Sequence, residues 1–295
     1  MIDATMYTDP ACPWAYCESP ALRVIAWRYG EQLSWKLVVI GLTEHAQQYA
    51  DRGNTPLRAA LGQLSIRRFV MPFAPEPKPR LSATARGCRA IVATRLAHPG
   101  REWDVFRALQ LANFTSPLVL EDDAQLRDVL AGVPGIDAPA VIAALDSAEV
   151  TEAYQADRAA ARRAAGTPAE LQGKTAQTDG EVRYTAPSVV LRHGDTELIA
   201  GGFQPVEAYD VLITNLDPTL RRTPPPEDPS PLLARFATGL TTQEVAALMT
   251  DGNDAPDRHA AEAALIELVA AGRATREQLG DDALWRPAAE LAVAA

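Results

Sequence analysis

The sequence predicts an α/β protein in which a small sheet is interrupted by a long helical insertion and followed by a smaller, helix-rich unit. Three observations predict it. A strand-like run, Ala4 to Tyr7, turns through Thr8-Asp9-Pro10 directly into a helix opened by Cys12-Pro13. From Thr43 to about Gly173 no convincing strand follows, and β-branched runs return only at Ala186–Leu191. A proline-dense stretch, Thr223–Pro231, then separates this part from further helical blocks.

The first corner organises the chain. Pro13 suits the first helical position, because the N–H it lacks would have no intrahelical partner there. Trp14, Leu22, Ile25 and Tyr29 fall on one helical face at steps near three or four residues. Cys12 therefore stands at a helix mouth, where unpaired N–H groups and the positive dipole end favour a thiolate. The expectation is a reactive cysteine with a depressed pKa.

Leu33–Ile40 alternates and then runs apolar up to Gly41, which reads as a second strand parallel to the first, since a helix separates them. The insertion carries helical blocks at Leu57–Val70, Ser82–Leu96, Glu102–Asn113, Ala124–Leu130, Pro139–Leu145 and Ser147–Ala165. Met71–Pro79 is too rich in proline to be helical. Late in the chain, Ala186–Leu191 and Glu197–Ala200 make a hairpin around His193-Gly194-Asp195. Gly201-Gly202 lead into a helix over Pro205–Leu216.

Thr223–Pro231 reads as an extended linker. Beyond it, Leu232–Thr238, Thr242–Met249 with Thr241 as N-cap, and Asp257–Ala271 form three helices, the last stopped by Gly272. Ala274–Pro287 makes a hairpin with Gly280-Asp281 at its tip. Three helices and a wing are the layout of a winged-helix module. From residue 223 onward five arginines and no lysine face twelve acidic residues, the opposite of a DNA reader, so a protein-contact or packing role is expected. The predicted organisation is 1–222 with the insertion at about 43–173, a linker at 223–231, and a module at 232–295.

A chain of 295 residues can bury a large core. Its formal charge of −10 argues against a general nucleic-acid binder. No apolar run is long enough to span a membrane, and the N-terminus enters the first strand without a signal core. Three cysteines make no disulfide framework. A reducing, cytoplasmic setting is the expectation. The four histidines, His45, His98, His193 and His259, show no metal-ligand spacing, and no resident cofactor is expected.

Asp9-Pro10-Ala11-Cys12-Pro13-Trp14 at the corner, Thr185-Ala186-Pro187 before the late strand, and Gly202-Phe203-Gln204-Pro205 before the last helix resemble the thioredoxin-like fold of the DsbA family. The resemblance covers roughly residues 3 to 217. It is closest to the cytoplasmic branch of FrnE-type oxidoreductases and 2-hydroxychromene-2-carboxylate isomerase (kappa glutathione transferase) relatives. It implies Cys12 as the nucleophile. Pro13, Trp14, Ala186 and a cis Pro187 would form the substrate groove, and a thiol or disulfide substrate or glutathione would be held there.

One departure bears on mechanism. A dithiol member carries a second cysteine three residues after the first, and here that position is Ala15. Cys17 is five residues on. A regular helix would put the two Cα atoms about 8 to 9 Å apart, whereas a disulfide wants less than about 7 Å. Cys17 and Cys88 read as small buried apolar residues. Three functions follow: a single-cysteine thiol-disulfide oxidoreductase working with glutathione, a glutathione-dependent isomerase or transferase, or a non-catalytic adaptor docking a protein through its acidic C-terminal module. Arg67, Arg68 and Arg86 are candidates to hold a carboxylate such as that of glutathione, and His45 is a candidate to line the cleft.

Overall fold

Alternate burial of Ile2, Ala4, Met6 and Thr8 makes the first segment a strand that feeds one face of a core. The computed structural model describes residues 1–74, 76–178, 180–252 and 254–288. The elements run β1 (Ile2–Thr8), α1 (Pro13–Cys17), α2 (Ser19–Tyr29), β2 (Leu33–Val39), then helices α3 (Gln47–Asp51), α4 (Pro56–Ile66), α5 (Ala85–Ala97), α6 (Glu102–Thr115), α7 (Asp123–Ala131), α8 (Ala138–Ala144), α9 (Ala148–Ala161) and α10 (Pro168–Leu171). Next come β3 (Thr175–Ala176), β4 (Arg183–Tyr184), β5 (Ser188–His193), β6 (Thr196–Gly201) and α11 (Val206–Leu216). The chain ends with α12 (Ser230–Arg235), β7 (Leu240–Thr241), α13 (Thr242–Leu248), α14 (Arg258–Ala270), β8 (Ala274–Leu279) and β9 (Asp282–Pro287).

The central sheet has the order β2-β1-β5-β6. β1 pairs parallel with β2, as the intervening helix requires, and antiparallel with β5; β5 and β6 form the late hairpin. Ile25 and Tyr29 of α2 and Tyr209 and Ile213 of α11 cover one face together with Ile2, Ala4, Met6, Val189 and Leu191. Val190, Ile199 and Tyr7 meet Tyr184, Ala164 and Ala169 on the other. The insertion helices pack around a core of their own that joins the sheet through Leu37 and Val39. This is the expected thioredoxin-like fold with a helical insertion. The short pair β3–β4 lies outside the expected elements, because two-residue strands carry no periodicity to read.

The first helix departs from expectation. It breaks at Glu18, so α1 and α2 are separate pieces. Trp14 consequently leaves the face of Leu22, Ile25 and Tyr29 and stands 41% exposed.

The C-terminal unit forms the sheet β7-β9-β8 against α12, α13 and α14, around the fully buried Trp285. Thr241 caps α13 in a reciprocal capping box with Glu244, as its position predicted. Val24 of α2 belongs to the same apolar cluster, so α2 serves two cores at once. The expected linker is tied along its start: Trp27 Nε1 donates to the Pro224 carbonyl at 2.9 Å, and the Thr223 N–H to that of Arg28 at 2.8 Å. At the tip of the β8–β9 hairpin Gly280 needs its positive φ of 56°, and an added Cβ there would lie 2.8 Å from the Phe73 carbonyl oxygen. Asp281 beside it accepts from the Phe73 N–H and from Arg67. Residues 289–295 of the predicted module lie outside the described residues.

Candidate functional site

The strand-to-helix corner and the loop before β5 meet because β1 and β5 are sheet neighbours. Tyr7 pairs with Ser188, which brings the loop ending in Pro187 alongside the loop ending in Cys12. The Ala186–Pro187 peptide is cis. Cys12 Sγ donates to the Ala186 carbonyl oxygen at 3.0 Å. Sequence reasoning named these residues, and the fold brings them together. Pro13 occupies the first position of α1, with Cys12 as its N-cap.

Trp14 flanks the corner as part of an aromatic trio. Its ring meets Phe69 and Phe203 edge-on at 6.0 and 6.1 Å, and those two rings lie 4.6 Å apart. Arg68 stacks over Phe69, exposed and without a carboxylate partner among the described residues. Arg67 pairs with Asp281, and Arg86 pairs with Asp123 and Asp146, so both of these candidates already hold a carboxylate of the chain itself. His45 is exposed at the start of the insertion.

The charge state of Cys12 reverses the expectation. The residue is only 5% exposed, and burial pushes its thiol up to about 12. The Ala15 and Trp14 N–H groups favour the thiolate, while the Asp9 and Glu18 carboxylates oppose it. The helix mouth is weaker than the sequence suggested, because α1 spans only five residues before Glu18 ends it. At rest Cys12 is a neutral thiol donating to a carbonyl. Cys17 and Cys88 are buried and free as well; Cys17 faces the Ile66 carbonyl, and Cys88 Sγ lies 3.5 Å from Asp9 Oδ2.

Two buried acids below the corner escaped the sequence reading. Asp9 accepts from the Ala11 and Leu42 N–H groups, each at 2.9 Å, and from Thr84 Oγ1 at 2.8 Å, which fastens the corner to β2 and α5. Burial nevertheless raises its pKa, against those hydrogen bonds. Asp-Pro before Cys-Pro was the available signal; its partners lie far along the chain. Glu18 gave no local signal. Its Oε1 accepts from the Gln204 N–H at 2.6 Å, and the buried carboxyl faces the Tyr209 hydroxyl.

Burial pushes the Glu18 carboxyl up to about 8, although Gln204 and Tyr209 pull it down. An unfolded Glu ionises near about 4.3. The folded state therefore keeps a proton that the unfolded state has released. This contribution to stability is fully present below about pH 4 and is lost as pH rises through about 8. Glu18→Gln, which stays neutral, is expected to be more stable than the wild type by several kcal/mol at pH 9, up to about 5, and nearly equal at pH 4. Urea midpoints across this range test it; parallel curves would show that folding leaves the Glu18 pKa unchanged.

Among solved structures the chain resembles one described as a protein disulfide isomerase from Nitrosomonas europaea. The TM-score is 0.56 and the identity 19%, over 72% of this chain and 96% of that one. A DsbA oxidoreductase from Streptomyces coelicolor gives a TM-score of 0.56 at 19% identity, over 76% and 92% of the two chains. The cytosolic disulfide reductase DsbM from Pseudomonas aeruginosa, solved with GSH, gives 0.51 at 17% identity, over 72% and 98%. No curated protein matches the sequence. The family described as the DSBA-like thioredoxin domain matches residues 4–185, which include the Cys12 corner, the whole helical insertion and both strands of the β3–β4 pair. The chain thus belongs to the DSBA-like thioredoxin domain family.

Proposed function

We propose that the protein is a thiol-disulfide oxidoreductase of the DsbA type, acting through Cys12 alone with glutathione as co-substrate. The observation that carries this reading is the 3.0 Å hydrogen bond from Cys12 Sγ to the carbonyl oxygen preceding the cis Pro187. An extended disulfide substrate laid along residues 185–187 takes the place of that bond and presents its sulfur to Sγ. Cys12 gives up its proton and attacks one sulfur of the substrate. The S–S bond breaks, a mixed disulfide forms, and the departing sulfur takes the proton. A glutathione thiol then attacks the substrate sulfur of the mixed disulfide, restoring the Cys12 thiol and leaving a substrate–glutathione disulfide. Thiol-disulfide exchange of this kind balances with no other oxidant or reductant.

Several features support the assignment. Ala15 occupies the position three residues after Cys12, so resolution falls to an external thiol. The DsbM structure resembling this chain was solved with GSH. Arg68, over Phe69 in the aromatic trio with Trp14, is available for a glutathione carboxylate. Three free thiols suit a reducing cytoplasm, and among the described residues no helix is long and apolar enough to cross a membrane. The Asp9-Pro10-Ala11-Cys12-Pro13-Trp14 motif favours the FrnE-type branch.

Intact mass after exposure to oxidised glutathione tests the reading. One adduct is expected on the wild type, retained in Cys17→Ser and Cys88→Ser and absent from Cys12→Ser. A wild type without an adduct on Cys12 overturns the proposal, and an internal disulfide overturns its single-cysteine form.

A second reading is favoured by the burial of Cys12: a DsbA-like adaptor that docks a protein without turnover. The C-terminal unit follows the winged-helix order of helix, strand, two helices and a two-stranded wing, and its acidic balance points to a protein partner over nucleic acid. Leu57, Leu61 and Leu64 are exposed at helical spacing on α4, which packs against α1. Capture of a client that depends on residues 232–288, together with no glutathione adduct, would mark this reading.

A further inference from the structure

Between the two parts of the chain lies a cavity of about 610 Å³, walled by α2 and α6 on one side and the end of α12 on the other. This volume is within the range of small-molecule sites, about 300 to 1,000 Å³. It touches none of Cys12, Ala186 and Pro187. Its apolar wall includes Leu22, Trp35, Trp103, Phe106 and Phe236. Exposed Gly100, Arg235 and Ala237 are also among its lining residues and give it a mouth to solvent.

The polar wall carries an excess of positive charge. Arg23, Arg107 and Arg235 all line the cavity. Glu244 lies behind Arg107 and is shared with Arg23, which it meets only at 3.8 Å. Asp104, the acidic residue of the lining, is bound by Arg101 at 2.6 Å. Arg235 has no carboxylate partner among the described residues. Burial, and after it the Arg107 and Arg235 cations, oppose the charge on Arg23, while Glu244 and Asp104 favour it. Arg107 Nε and Gln110 Nε2 are sealed behind the wall, away from both the cavity and solvent, so the cations of Arg23 and Arg235 are what the cavity offers an anion.

We infer that this cavity binds a small organic monoanion, a carboxylate carried on an aromatic or aliphatic body. The body would lie against Trp35, Trp103 and Phe236. The carboxylate would lie between Arg23 and Arg235. The site rests on no assumption about the Cys12 reaction.

The probes are 8-anilinonaphthalene-1-sulfonate and its uncharged analogue N-phenyl-1-naphthylamine, with the full chain in both wild-type and Cys12→Ser forms. The sulfonate is expected to bind at one site per chain, with equal strength in both forms, and to be displaced by 1-naphthoate and by octanoate. The uncharged analogue is expected to bind about tenfold or more weaker. Arg23→Gln should weaken the sulfonate by a similar factor. Because that change also touches the Glu244 cluster, two surface variants back it: Arg235→Gln, which removes an unpaired cation, and Ala237→Trp, which fills the mouth. Both should weaken binding while leaving the urea midpoint unchanged. Equal binding of the two probes overturns the assignment to an anion. Sulfonate binding untouched by both surface variants, or no binding by the wild type, overturns the site.

Discussion

Alkylation of Cys12 by iodoacetamide at pH 7 is expected to run about a hundredfold or more slower than that of an unperturbed cysteine. With its pKa pushed up to about 12 by burial, the thiolate fraction at pH 7 is on the order of 10⁻⁵. A free thiol near pKa 8.5 is about 3% ionised. The roughly three-thousandfold difference is partly offset, because a thiolate of higher pKa is the stronger nucleophile, by about 30- to 60-fold over this interval. Poor access to a residue 5% exposed adds to the deficit. The rate should climb about tenfold per pH unit up to pH 10 with no plateau. Cys17→Ala/Cys88→Ala as the background removes the two other buried thiols, and mass spectrometry follows the reaction. A plateau below pH 7 would instead mean that the N–H groups of Trp14 and Ala15 hold a thiolate, the state expected from the sequence.

This behaviour fits an exchange site that opens only for a substrate able to compete for the cis-proline loop. In that case oxidised glutathione labels Cys12 faster, relative to iodoacetamide, than thiolate fraction alone allows. A small alkylating agent gains nothing from the loop, whereas under the proposed function a disulfide peptide would replace the Ala186 carbonyl as partner. Neutral Glu18 contributes too. While it keeps its proton up to about pH 8, one of the two acids that oppose the Cys12 thiolate carries no charge at neutral pH.

The sheet was legible because its strands alternate or run apolar over six or seven residues, as in Ile2–Thr8 and Ser188–His193. The longer helices of the insertion were legible from spacing, and α13 from Thr241 as its N-cap, whereas α3 and α10, of five and four residues, are too short to show a period. The site was legible in part. Cys12-Pro13 announces a helix start locally, but its proximity to Pro187 came from family resemblance, since the two are 175 positions apart in sequence. The break at Glu18 was hidden, because a glutamate suits a helix interior and nothing nearby shows that its carboxyl is taken by the Gln204 N–H. The pKa of Cys12 was misread for the same reason. A dipole can be inferred from sequence, whereas desolvation depends on what closes over the sulfur. Phe69, at the end of a 3-10 turn, and Phe203, in the loop after β6, joined Trp14 with no shared signal. The arginine-lined cavity depends on α2, α6 and α12 converging, which no local pattern encodes.

Glu244→Ala is expected to cost about 3 to 5 kcal/mol, read from the urea midpoint at pH 7. The carboxylate is wholly buried and joins three segments. It closes the α13 capping box through the Thr241 N–H at 2.8 Å, accepts from Ser19 Oγ at the start of α2, and pairs with Arg107 of α6 at 2.5 Å. Burial alone would raise its pKa, but the Arg107 and Arg23 cations and the Ser19 and Thr241 hydrogen bonds hold it below the usual carboxylate range. Its stabilisation is therefore present above the unfolded value, near about 4.3, and disappears as pH falls through the lower folded value. Wild type and Glu244→Ala should draw closer in stability as pH falls through that lower value. Most of the cost comes from Arg107, 5% exposed, left as a buried cation without its acid. Replacing both partners, as Glu244→Leu/Arg107→Met, should thus recover more than half of the loss. If the double variant is no better than Glu244→Ala, the capping box and the Ser19 bond hold the C-terminal unit on α2, and the ion pair contributes little.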